Sequence, residues 1–239
     1  MEQPSGFADP HFPNHVCHLK KTLYGLNREG ISLLVIKQQS HVLYLLVYVD
    51  DITLTGNDLT LIRKFINKLH VEFAIKDLGQ LNYFLGLEVS YMEHGDGIFL
   101  SQAKYAYDIP THAQMLNVKP VSTPLSTTDY LMSQGSPYSD PTLYRSLVGA
   151  LQYLTITRPD LSYVVNQVSQ FIHALTIDLY QVVKRILNYV KGTLVYGIHF
   201  NSPPESSLIG YSDADWARCI KARHSTYGYS IFLRGNLVS

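Results

Sequence analysis

An α+β fold is predicted for this chain, and three observations predict it. Short β-prone runs bounded by turn residues lie in the first half of the sequence and again near its end. Stretches with apolar residues at i, i+3, i+4 and i+7 lie between them. The run YLLVYVDDITLTG (44–56) sets two adjacent carboxylates, Asp50 and Asp51, between apolar β-prone segments. That pattern predicts a tight hairpin with the Asp pair at or beside its tip, because Asp tolerates turn and left-handed backbone. Successive strand residues face opposite ways, so the two carboxylates are not equivalent, and Asp50 is the one expected to project toward a cleft. On the residues alone two readings stand: an ordinary acidic, solvated turn, or carboxylates able to hold Mg²⁺, a hard cation that takes oxygen ligands.

The elements follow in order. Residues 1–27 are rich in Pro, His and Gly and read as loop. LLVIKQQSHVLYLLVYV reads as two strands joined by a polar turn at Lys37 to Ser40. Asn57-Asp58 then offers a cap to a helix whose apolar face is Leu61, Ile62, Phe65, Ile66, Leu69 and Phe73. A second hairpin is expected from Tyr83–Tyr91 to Ile98–Ser101, across the turn HGDG. A helix from Gln102 to Met115 follows, kinked or split at Pro110. Residues 117–140 read as a linker or wrapped loop. Asp140-Pro141 is a cap with a helix-compatible proline, and three helices follow it. The second carries the stripe Leu161, Val164, Val165, Val168, Phe171, Ile172 and Leu175, and Tyr153, Tyr163 and Phe171 are expected in the core. The third runs from about Asp178 to Lys191 and stops at Gly192. Its expected core face is Leu179, Val183, Ile186 and Val190; the opposite face holds Gln181, Lys184, Asn188 and Lys191, with Arg185 beside them. YGIHF, SLIGYSDADW and YGYSIFL read as three short strands that begin an α/β domain.

Composition bounds the function. With 239 residues and 46% hydrophobic content the chain can bury a core as one large or two small domains. Nineteen basic and nineteen acidic residues cancel, so net charge lends nothing to nucleic-acid binding and only local patches could serve it. Residues 181–200 are one such patch, with Lys184, Arg185 and Lys191 and no acidic residue. Cys17 and Cys219 are too far apart in sequence for a disulfide framework or metal pair and fit a reducing compartment. The ten histidines show no ligand spacing. No apolar stretch reaches the roughly 18 residues of a membrane span, and the N-terminus lacks the pattern of a signal peptide, so an intracellular protein is expected.

The run YVDD followed by ITLTGND resembles the palm hairpin of reverse transcriptases, and more narrowly the polyprotein of copia-type LTR retrotransposons. The likeness continues in order through KDLGQLNYFLGLEV, FLSQAKYAYDI, KPVSTPL, YRSLVGALQYLTITRPDLSYVVNQVSQF, VKRILNYVKGT, GYSDADWA and STYGYSIFL. The opening MEQPSGFADPHFPNHVCHLKKTLYGLN is similar to the same family just before the palm hairpin, so nearly the whole chain is covered. The resemblance implies a partial reverse transcriptase palm/thumb over 1–116, a linker over 117–140, a helical connection over 141–193 and the first strands of an RNase H-like domain over 194–239. It implies Asp50 and Asp51 as metal-holding catalytic carboxylates of the palm, and Asp213 as the first metal-binding residue of an RNase H site. The implied cofactor is Mg²⁺, with Mn²⁺ a substitute; the implied partners are an RNA or DNA template-primer and deoxynucleotides. Lys184, Arg185 and Lys191 would contact phosphate.

The sequence departs from the family pattern in ways that bear on activity. A further palm Asp belongs to an earlier strand of the family and is expected to be missing here; Asp9 is no substitute in its Pro-flanked loop. Between Asn27 and Ser32 the family has a longer segment with a helix under the palm, so an internal deletion of a few tens of residues is expected. The later RNase H carboxylates are expected to fall after Ser239. The chain is therefore expected to be a catalytically inactive fragment, with a non-catalytic remnant or a domesticated nucleic-acid-binding module as the alternative.

Overall fold

The computed structural model describes residues 31–49, 51–73, 75–93, 97–113, 115, 118–126, 135–203, 206–214, 225 and 227–239. They fall into two compact units, one ending at Leu81 and one running from Asn82 to Ser239. The expected loop at 1–27, the turn at His94–Asp96, and Cys17 and Cys219 lie outside the described residues. The class is α+β, with antiparallel sheets and five α-helices among the described residues.

In the first unit, β1 (Ile31–Gln38), β2 (His41–Tyr48) and β3 (Asp51–Gly56) form one antiparallel sheet in that order. The register sets Gln38 opposite His41 and Tyr48 opposite Asp51. Alternation along β2 buries Leu43 and Leu45 on one face, as period two requires. Helix α1 (Leu59–Glu72) follows, capped by Asp58, whose carboxylate accepts from the Thr60 and Leu61 N–H groups. Asn57 does not share the cap. Its Oδ1 accepts from Val42 N–H and its Nδ2 donates to Ser40 O, tying the helix entry to the β1–β2 turn. The expected α1 stripe holds through Leu69, which is buried. Phe73 departs from it: the helix has ended, and its ring is exposed.

In the second unit, β4 (Tyr83–Phe84), β5 (Leu87–Tyr91), β6 (Gly97–Ser101) and β7 (Gly197–Asn201) make a four-stranded antiparallel sheet. The single strand expected over Tyr83–Tyr91 is split. Leu85 and Gly86 are both left-handed, with φ of 51° and 75°, which makes a tight hairpin turn between β4 and β5. The Tyr153 hydroxyl donates to Leu85 O, and a Cβ on Gly86 would come within 2.7 Å of that hydroxyl. Gly235 has the same φ of 75° but open space around it. Gly235→Ala should therefore cost only the left-handed strain, about 1–2 kcal/mol. Gly86→Ala should cost that plus the displaced Tyr153 bond, about 1 kcal/mol more. Thermal denaturation of the two variants side by side checks this; equal losses would show that Tyr153 yields freely.

Strand β7 departs from its expected grouping. YGIHF pairs with β6 rather than with the strands after it, with Phe99 opposite His199 and their rings 4.6 Å apart. Glycine permits the approach: a Cβ on Gly197 would strike Leu100 O and lie 2.7 Å from the Phe99 ring. β8 (Leu208–Ala214), β9 (Tyr227–Leu233) and β10 (Asn236–Leu237) form a separate antiparallel sheet in the order β10-β9-β8.

The core of this unit is helical. It is built by α2 (Ala103–His112), α3 (Pro141–Leu154), α4 (Ser162–Ser169) and α5 (Ile177–Gly192). α2 ends three residues before Met115 and runs through Pro110 unsplit; only two helical residues follow that proline, so its missing N–H falls at the helix end. Asp140 accepts from Leu143 N–H and Pro141 fills the first turn of α3, as the sequence predicts. Leu147, Leu151, Val164, Val168, Ile186 and Val190 are all buried. Phe171 is not fully so. α4 stops at Ser169, and short turns carry Phe171, Ile172 and Leu175 past it half-buried. Tyr163 is exposed and Tyr153 half-buried, so the expected aromatic core is only partly formed.

Arg158 holds the two ends of this helical unit together. It is 1% exposed, and its guanidinium makes a two-pronged pair with Asp160 at 2.9 and 2.8 Å. It also donates to Thr193 O and Thr193 Oγ1, which follow α5. The rings of Tyr189 and Tyr196 lie 5.5 and 5.2 Å from its central carbon.

Candidate functional site

Asp51 is the first residue of β3 and is exposed. It closes the β2–β3 hairpin opposite Tyr48, with two residues between the paired positions. Val49 in that connection has φ of 49°, a left-handed conformation that β-branched residues rarely adopt. The strain lies next to the Asp pair, where sheet pairing on both sides holds it. Asp50 lies outside the described residues, and so does its expected orientation toward a cleft.

Asp213 sits near the end of β8, opposite Gly228, and its carboxylate accepts from the Ala214 N–H at 2.9 Å. The whole of β8 is exposed. Asp215 and Trp216 lie outside the described residues. Among the described residues no group of three or more His, Cys, Asp or Glu could hold a metal ion. Among the described residues Asp51 and Asp213 each stand as a single carboxylate, whereas a two-metal centre needs several carboxylates converging on ions about 3.5–4 Å apart.

The basic residues are better gathered. Lys184, Arg185 and Lys191 lie on α5, away from its buried face, and all three are half-buried rather than freely solvated. Segment 118–123 explains this. Lys191 Nζ donates to Val118 O at 2.7 Å and Arg185 Nη2 to Thr123 Oγ1 at 2.9 Å. The expected wrapped loop thus runs along the basic side of α5. Between them lies a cleft of about 570 Å³, lined by Met115, Val118, Tyr180, Lys184, Arg185 and Asn188 among others. Lys184 Nζ rests 4.8 Å from the centre of the Tyr180 ring. Tyr180 in turn stacks on Tyr138 at 4.2 Å. Burial, then the Tyr180 hydroxyl, push the Tyr138 phenol up to about 12, so Tyr138 stays uncharged around neutral pH.

Sequence reasoning found the three cations but missed their partners, Thr123 and Val118. No periodicity announces a loop-to-helix contact more than sixty residues apart. It also missed Arg158, although Arg-Pro-Asp beside a helix start was a visible signal for a charged turn.

The family described as reverse transcriptase (RNA-dependent DNA polymerase) matches residues 32–127. The retrovirus-related Pol polyprotein from transposon RE1 of Arabidopsis thaliana is 40% identical over 262 aligned positions, covering 100% of this chain and 18% of that protein. The Pol polyprotein from transposon TNT 1-94 of Nicotiana tabacum is 32% identical, covering 100% of this chain and 20% of its own length. An uncharacterized mitochondrial protein of Arabidopsis thaliana is 46% identical over 82% of this chain and 81% of its own length. The chain thus spans about a fifth of the Pol polyproteins it matches. No solved structure matches it.

Proposed function

The chain belongs to the reverse transcriptase family of copia-type retrotransposon Pol polyproteins, and from that premise we propose that it is a piece of an RNA-directed DNA polymerase with RNase H that no longer catalyses. The parental reaction is Mg²⁺-dependent, template-directed DNA synthesis on an RNA or DNA template-primer, with Asp50 and Asp51 holding metal in the palm and Asp213 in the RNase H part. Preorganised charge at the reacting phosphate contributes most of the rate gain in such chemistry, and it depends on all of its ligands together.

The observation that carries the loss of activity is an internal gap. Alignment to the RE1 polyprotein runs over 262 positions for a chain of 239 residues, so the relative carries residues that this chain lacks. A missing stretch between Asn27 and Ser32 would account for these positions and would remove a support beneath the palm. A second reading, a nucleic-acid-binding module without catalysis, is favoured by the cleft on α5, which Lys184 and Arg185 both line. On this reading Lys184, Arg185 and Lys191 contact the phosphate backbone of a strand or duplex. No described helix is long and apolar enough to cross a membrane.

Titration calorimetry tests the metal side. Mg²⁺ and Mn²⁺ should bind weakly, because one or two carboxylates leave the ion mostly hydrated. A tight two-metal site that disappears in Asp50→Asn would contradict the proposal and restore a complete centre.

A further inference from the structure

The cleft beside α5 holds an incomplete hydrogen-bond set. Arg185 Nε and Asn188 Oδ1 are both shielded from solvent and have no hydrogen-bond partner among the described residues. Arg185 spends its Nη2 on the hydroxyl of Thr123, a neutral acceptor, at 2.9 Å. Nε and Nη2 of a guanidinium form one edge with two parallel donors, suited to two oxygens of one anion. Thr123 satisfies half of that edge.

The segment bearing Thr123 is seated against α5 at both ends. Val118 O accepts from Lys191 Nζ at 2.7 Å. Pro120 packs on Gly192, where an added Cβ would come within 3.0 Å of the Pro120 Cβ. Lys184 lines the same cleft and has no ion-pair partner among the described acidic residues. The cleft lining therefore presents two cations, one of them with an underused donor edge, together with the apolar Met115 and Val118.

We propose that this cleft is a phosphodiester site for a nucleic-acid strand and that segment 118–123 gates it. Arg185 releases Thr123 and takes two phosphate oxygens through Nε and Nη2, while Lys184 supplies the second charge. Binding draws on the difference between the two states: only the phosphate-bound state pairs the Nε donor, so phosphate favours the open segment. The inference rests on the reading of α5 as a nucleic-acid contact and adds to it the gate and the residue that holds it.

The test is fluorescence anisotropy of the full chain with a labelled dT20 oligonucleotide at several salt concentrations. The variants are Thr123→Val, Thr123→Ala, Lys184→Gln, Arg185→Gln, and Thr123→Val combined with Arg185→Gln. Both Thr123 variants should bind tighter, on the order of fivefold, the value of one net hydrogen bond. Their salt slope should match the parent's, because the bound state of each makes the same phosphate contacts. The gain should vanish in the double variant. Thr123 variants that bind no tighter than the parent, while Lys184→Gln and Arg185→Gln weaken binding, would overturn the gate and leave the basic-face reading intact. A tightening that survives Arg185→Gln would also overturn the gate. Charge variants that bind like the parent would sink the basic-face reading and the gate with it.

Discussion

Arg158→Ala should lower the unfolding free energy of the second unit by about 2–5 kcal/mol, the cost of emptying a buried site once filled by a large side chain, for Arg158 is buried although its partner Asp160 is exposed. The side chain is 1% exposed, so its loss leaves a cavity as well as unpaired groups. Asp160 loses both prongs of its pair, and Thr193 loses both donors at its carbonyl and hydroxyl. Tyr189 still donates to Asp160 at 2.9 Å, which compensates in part. Arg158→Lys should recover little, since a point charge cannot span Asp160 and Thr193 with one planar fork. The same pair fixes an acid limb. Burial acts to raise the Asp160 pKa, but the Arg158 hydrogen bonds and charge outweigh it and hold it below its ordinary 3.8. A depressed native pKa stabilises above the unfolded value and is lost as pH falls through the native one. The parent should therefore lose stability below about pH 4, and Asp160→Asn should be weaker at neutral pH with a flatter acid limb. Urea denaturation at both pH values reads this, and an Arg158→Ala loss under about 1 kcal/mol would show that the pair is dispensable.

Leu151→Ala should cost about 2–5 kcal/mol, the range for emptying a closed core site. Leu151 is fully buried in the cluster joining α3, α4 and α5. Phe171→Ala removes more atoms yet should cost less, because the ring sits half-buried after α4 has ended. Ranking by residue size predicts the opposite order, so thermal denaturation of the two variants separates packing from side-chain volume. Equal losses would place Phe171 in the core after all.

Local pattern carried most of the fold. The β1–β2–β3 register follows from alternation and the spacing of turn residues, and Asp58, Asp140 and Gly192 mark helix limits as short-range chemistry predicts. Misreadings arose where tertiary contacts override period. Leu85-Gly86 lies inside an unbroken apolar run, and its turn is held by Tyr153 from a distant helix. β7 looks like its successors in sequence, yet Gly197 suits it to β6. The stripe through Leu175 continues in sequence after the helix has stopped, because turns can present apolar residues at helical intervals too. At the site, charge was legible and its state was not. Lys184, Arg185 and Lys191 are plain in the sequence; that a loop more than sixty residues earlier occupies two of them is a long-range fact.

On the reading proposed above, this chain keeps a folded, phosphate-contacting piece of a retrotransposon polymerase without its chemistry. An RNA-templated primer-extension assay with Mg²⁺ and with Mn²⁺ tests it most directly, run beside an Asp50→Asn, Asp51→Asn variant. No extension above background is expected of either chain, with oligonucleotide binding retained by both. Extension by the natural chain that disappears in the double variant would contradict it and identify a working polymerase.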